Sequence, residues 1–190
     1  GDEPGDIGDA FVLFKQALAK SQIRGFEWEA QQFPDEDHGS VVLRSHYLGL
    51  RKIYAGWQMP RNSQTGAVAG GLKAAEEHYQ KLSQKFGYPI PVPEALINQI
   101  GYQYLAGGQA GEAIAAFKSN VDRYPNSANV YDSLAEAYER GGRLDLAAPL
   151  YEKAQTLGKQ YNDPNAAIYA QNFARAKEKL TQADAGKKNK

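Results

Sequence analysis

Along most of the chain apolar side chains return every three or four residues. Ile7, Phe11, Phe14 and Leu18 do so while Lys15, Gln16 and Lys20 fall between them, which predicts a helix over residues 7–20 closed by "SQIRG". Leu43, Tyr47, Leu50, Tyr54 and Trp57 predict a second helix, with Ser40 as its N-cap and Pro60 as its stop. Leu72, Ala75, Tyr79, Leu82 and Phe86 predict a third, ended by Gly87. Between the first two the period changes. Phe26, Trp28 and Ala30 alternate with Glu27, Glu29 and Gln31, the period-two pattern of a strand with one buried face.

Beyond the stiff spacer "YPIPVP" the pattern repeats itself with a period of 34. Ile97, Ile100, Gly101, Tyr104, Ala113, Phe117 and Asn120 reappear as Tyr131, Leu134, Ala135, Tyr138, Ala147, Tyr151 and Ala154. Size class is kept in nearly every pair. This spacing resembles the tetratricopeptide repeat, in which a small residue on the first helix lets an aromatic from the second fill the gap between units. Asn120 departs from the usual small residue, and Pro149 lies early in the last helix of the second unit. A helix over residues 164–182, with Ala167, Ala170, Phe173 and Leu180 inward, then caps the array. The Tyr-rich face includes one aromatic that the repeat does not explain, Tyr102.

Composition narrows the functional classes. Basic and acidic residues balance at 22 each, so no overall field draws the chain to nucleic acid or an anionic membrane. No apolar run approaches the length of a membrane span, and a soluble protein is expected. With no cysteine, thiolate catalysis and Cys-ligated zinc are excluded. His38 and His46 do not fall in a recognised metal-ligand spacing, so neither metal nor cofactor is expected.

The remaining chemistry is in "FPDEDHGS", where His38 stands behind three acids between the predicted strand and the second helix. The segment "WEAQQFPDEDHGSVVLRSHYLGLRKIYAGW", centred on "EDHGSV", resembles the end of the esterase family that includes siderophore (enterochelin-type) esterases, of the α/β-hydrolase superfamily. The resemblance covers residues 1–60. It implies that His38 is the general base of a serine esterase, and that Glu3, Asp6 or Asp9 is a remnant of the triad acid. No G-x-S-x-G occurs in the chain, so the resemblance places the nucleophile upstream of Gly1, in a hydrolase domain of the same polypeptide that is cytoplasmic or periplasmic.

The expected fold is therefore mainly α: a tetratricopeptide-like helical repeat array preceded by a helix-strand-helix remnant of an α/β-hydrolase domain. Residues 1–60 form the remnant, 61–92 a linker and connecting helix, 93–182 two repeats and a capping helix, and 183–190 a disordered tail. A homodimer through the 26–33 strand is a further expectation, because an unpaired edge seeks a partner. The alternative to the esterase fragment is a protein–protein interaction module that uses the repeat groove. That groove lacks the Lys/Asn/Arg arrangement with which such repeats hold a terminal carboxylate.

Overall fold

The structure is a computed structural model that describes residues 6–188, with side chains from residue 8 to residue 183. Eight helices form among the described residues: α1 (Asp6–Lys20), α2 (Val41–Ile53), α3 (Gly71–Phe86), α4 (Glu94–Ala106), α5 (Ala110–Arg123), α6 (Ala128–Arg140), α7 (Leu144–Gln160) and α8 (Ala166–Lys188). No strand forms among them, and β pairing is limited to an isolated bridge between Arg61 and Val68. The chain divides into two compact units, residues 1–58 and 59–190.

The second unit is built on the period of 34. Helices α4 and α6 begin at Glu94 and Ala128, and α5 and α7 at Ala110 and Leu144, so the two helical hairpins superpose in register. Their turns match as well: Gly108 and Gly142 both take positive φ, 74° and 72°, which a residue without Cβ adopts most easily. The next amides, Gln109 and Arg143, donate to the carbonyls of Tyr104 and Tyr138 at 2.8 and 2.9 Å. Gly101 is small because the buried Phe117 ring lies against it. A Cβ there would come within 2.8 Å of Phe117 Cδ1, closer than packed carbons tolerate. In the second hairpin Ala135 and Tyr151 occupy the same relation within one buried cluster that also holds Ala176 of α8.

The irregular positions are accommodated locally. Asn120 is fully buried and donates through Nδ2 to the Glu94 carbonyl at 3.2 Å, tying α5 to the start of α4. Pro149 lies inside α7 on an exposed side of it, so the amide it lacks is missing from the solvent face of the helix. The inward face of α8 differs from the expected one. Tyr169 and Ala176 are buried, Ala170, Phe173 and Leu180 half-buried and Ala167 exposed, because Tyr169 packs against α7 where Gly158 leaves room for its ring. Helix α8 also continues to Lys188, through residues expected as a disordered tail, as the extension of a helix already anchored by packing at Tyr169 and Ala176.

Residues 61–92 do more than link. Met59, Val68, Ala75 and Val92 join Leu96, Ile97 and Ile100 in one cluster, so the loop and α3 cover the open edge of the first hairpin. Tyr124 seals the junction by donating its hydroxyl to the Val92 carbonyl at 2.7 Å.

The first unit holds α1, α2 and the segment between them. Phe33 is the one buried apolar side chain among its described residues. The expected strand over residues 26–33 is corrected: this segment belongs to no strand, because a strand exists only in a ladder and no second segment of the unit supplies one. The helix-strand-helix hydrolase remnant is corrected with it, and the strand-paired homodimer loses the strand on which it rested. The alternation survives in burial only in part: Trp28 and Ala30 are half-buried while Glu27, Glu29 and Gln31 are exposed, but Phe26 of the same row is exposed as well.

Candidate functional site

Helices α4, α6 and α8 touch one another in succession, whereas α5 and α7 make no comparable contact. The first helices therefore form the inner face of the repeat array, the side on which arrays of this kind present their side chains to ligands. On α6 the positions Asp132, Glu136, Glu139 and Arg140 fall on one helical face, being four, seven and eight residues along from the first. On α8 the positions Asn172, Arg175 and Lys179 do the same.

These two rows meet. Asn172 Nδ2 donates to Asp132 Oδ1 at 2.9 Å. Arg175 Nη1 and Lys179 Nζ both donate to Glu139 Oε1, at 2.8 and 2.9 Å, and the Tyr151 hydroxyl donates to the other oxygen at 2.8 Å. The Arg175 guanidinium also stands 5.9 Å from the centre of the Tyr151 ring. One turn away, Arg140 grips Glu136 Oε1 through Nη2 and Nε at 2.6 and 3.0 Å, while Tyr102 of α4 donates its hydroxyl to Oε2 at 2.7 Å. Tyr102, the aromatic that the repeat did not explain, is thus a hydrogen-bonding member of this face, its ring set edge-on against Phe117 at 5.2 Å.

Glu136, Glu139, Arg140, Tyr151, Asn172, Arg175 and Lys179 line a cleft of about 460 Å³. Its electrostatics are layered. The Glu139 side chain is only 11% exposed, whereas Arg140, Arg175 and Lys179 are 56%, 46% and 49% exposed. The carboxylates lie below, already hydrogen-bonded, and the cations reach solvent. Burial pushes the Glu139 carboxyl up, but the hydrogen bonds from Lys179 and Tyr151 and the charge of Arg175 outweigh it and hold the group below its ordinary range. Asp132 goes the other way: burial raises it, the hydrogen bond from Asn172 opposes, and neighbouring Glu136 adds to the rise. Burial likewise pushes the Tyr102 hydroxyl up to about 12, helped by the adjacent Glu136 carboxylate, so it is a proton donor at any ordinary pH.

His38 lies elsewhere, in the turn that opens α2, and it is exposed. The acids and serine around it have structural partners. Asp37 Oδ1 accepts from the amides of Gly39 and Ser40, both at 2.9 Å, while Ser40 Oγ accepts from the Asp37 amide at 3.0 Å. Ser40 holds the N-cap position of α2 as expected, but the side chain that accepts amide hydrogen bonds in this turn is that of Asp37. Glu36 pairs with Arg44 at 3.0 Å. Hydrogen bonds from Ser40 lower both acids, assisted at Glu36 by Arg44 and at Asp37 by Gly39. Of the candidate triad acids, Glu3 lies outside the described residues, Asp6 is described in its backbone alone, and Asp9 is exposed on α1. Among the described residues no three His, Asp or Glu side chains come together as a metal site would require.

No protein-family model matches the chain, and neither does any curated protein. Among solved structures it is similar to PcrH, in the crystal structure of PcrH in complex with the chaperone binding region of PopD. The match covers 82% of this chain and 99% of that one at 18% identity, with a TM-score of 0.39. At that level the likeness fixes neither the curvature of the array nor its ligand. The resemblance to siderophore esterases is corrected. Its last strand is absent among the described residues, and the acids and serine of the "EDHGS" motif at its centre brace the turn that opens α2.

The charged cleft was not anticipated from sequence. Its signal is nevertheless present, in charged and amide residues at helical spacing on α6 and again on α8, and hydrophobic periodicity alone passes over it.

Proposed function

We propose that the chain is a protein-interaction module whose repeat array holds an acidic peptide segment of a partner on the inner face of α4, α6 and α8. One observation carries this reading: in the cleft the cations are the more exposed groups, while the Glu136 and Glu139 carboxylates that balance them are half-buried and hydrogen-bonded. A ligand entering the cleft meets guanidinium and ammonium groups first. Arg175 and Lys179 share a single carboxylate oxygen, so a second carboxylate relieves that sharing without leaving any group unpaired. Tyr102, half-buried beside Glu136, adds an amphipathic ring at the edge of the site that contacts peptide at low entropic cost.

The test is fluorescence anisotropy with labelled twelve-residue peptides rich in Asp and Glu, each beside its Asn/Gln counterpart. Acidic peptides are expected to bind the full chain and to lose at least about tenfold in affinity when Arg175 and Lys179 are both changed to Gln. Rising salt weakens binding in the same direction. Equal binding of acidic and amide peptides overturns the reading.

A further inference from the structure

The cleft between α6 and α8 holds more cationic hydrogen-bonding capacity than one carboxylate can use. Arg175 and Lys179 share a single oxygen of Glu139, so that trio keeps one positive charge in excess. Arg140 bonds Glu136 through Nε and Nη2, and the other Glu136 oxygen already accepts from Tyr102. Among the described residues, Arg140 Nη1 and the remaining hydrogens of the Lys179 ammonium have no protein acceptor, and both side chains are about half exposed. The three cations line one cleft of about 460 Å³ but come from two helices. A carboxylate offers two coplanar oxygens. A phosphate monoester offers three, tetrahedrally arranged, with about −1.5 to −2 charge at neutral pH.

We propose that the cleft's preferred ligand is a phosphorylated side chain in the partner's acidic segment, its phosphate bridging Arg140 of α6 to Arg175 and Lys179 of α8. This rests on the reading of the array as a holder of acidic peptides and narrows its ligand. Recognition is by charge-assisted hydrogen bonds from a cationic cluster, in which each phosphate oxygen replaces the water now on a guanidinium or ammonium. Arg140 sets the specificity. Arg175 and Lys179 suffice for a carboxylate, and only the third phosphate oxygen calls on Arg140. The guanidinium fork suits that role, because it keeps Glu136 through Nε and Nη2 while presenting Nη1 to the ligand.

The probes are three labelled twelve-residue acidic peptides of one sequence, with phosphoserine, Glu or Ser at the central position, titrated into the full chain by fluorescence anisotropy. The phosphoserine peptide is expected to bind at least about fivefold more tightly than the Glu peptide, and the Ser peptide most weakly. Arg140→Gln should bring the phosphoserine and Glu peptides to within about twofold of each other while the Glu peptide keeps its affinity; circular dichroism shows whether the variant keeps its helix content. Because a phosphate monoester loses its second proton near pH 6, phosphoserine binding should tighten several-fold from about pH 5 to about pH 7.5, whereas Glu-peptide binding changes little. Equal affinity for the phosphoserine and Glu peptides, both above the Ser peptide, overturns this inference and leaves the acidic-peptide reading standing. Three equal affinities overturn both. A phosphoserine preference that survives Arg140→Gln overturns the bridging geometry proposed here.

Discussion

The two units respond differently to the same physical demand. In the second, Ile97, Ile100, Phe117, Val130 and Tyr151 are wholly or almost wholly buried, whereas in the first Leu13, Phe14, Leu43 and Tyr47 are more than half exposed. Both regions contain amphipathic helices of similar length. What differs is the presence of an adjacent copy: each hairpin of the array offers its apolar face to the next, while α1 and α2 have only Phe33 and its surroundings between them. An amphipathic pattern specifies a helix and a face; only a neighbour turns that face into stability.

Hydrogen exchange should show the contrast most strongly. Amides of α4–α7 are expected to exchange at least about a hundredfold more slowly than those of α1 and α2, because the latter open without breaking a core. Equal protection in α2 and α6 would break the comparison. Truncations sharpen it. Phe117→Ala should cost about 3–5 kcal/mol in urea denaturation, the range for emptying a buried aromatic site, whereas Leu43→Ala should stay within about 0.5 kcal/mol. Next in size is Gly101→Leu, expected to cost about 1–3 kcal/mol, since the new side chain starts where the buried Phe117 ring lies and the ring must shift. An unchanged melt would show that α4 and α5 do not pack closely at Gly101.

The smallest effects are electrostatic and have opposite signs within one helix. Glu139 is held below its ordinary value of 4.5, so its contribution is present above that pH and lost as pH falls through the lowered value. Glu139→Gln should therefore cost about 1 kcal/mol at neutral pH and progressively less in acid. Asp132 is raised above 3.8, so stability falls as pH rises from there through its raised value. Asp132→Asn should remove that slope and slightly stabilise the chain at neutral pH, the amide oxygen still accepting from Asn172. Urea denaturation across pH 3 to 8 reads both, and a pair of variants with slopes of the same sign would contradict the layered arrangement of the cleft.

How much was legible in the sequence varies along the same divide. The repeat was legible because every unit makes the same packing demand, so Gly101 against Phe117 and Ala135 against Tyr151 leave one spacing written twice. Nothing repeats in residues 1–60. There a strand was read from Phe26, Trp28 and Ala30, and a catalytic base from His38, using patterns that local chemistry alone also produces: the acids and Ser40 beside His38 cap and brace α2. The cleft was missed because charged positions on α6 and α8 look like two solvated faces until the helices are set side by side.

The sequence by itself determined the helices, their turns and the period that relates the two hairpins, since helix propensity, glycine turns and small-against-large packing act between residues close in the chain. Tertiary structure alone decided that residues 26–33 form no strand, that Tyr169 rather than Ala167 faces inward on α8, and that Glu139 lies beneath Arg175 and Lys179. Each of those outcomes depends on which surface comes to lie against which. A strand needs a ladder, a buried ring needs the space left by Gly158, and a carboxylate is lowered only when cations from another helix reach it.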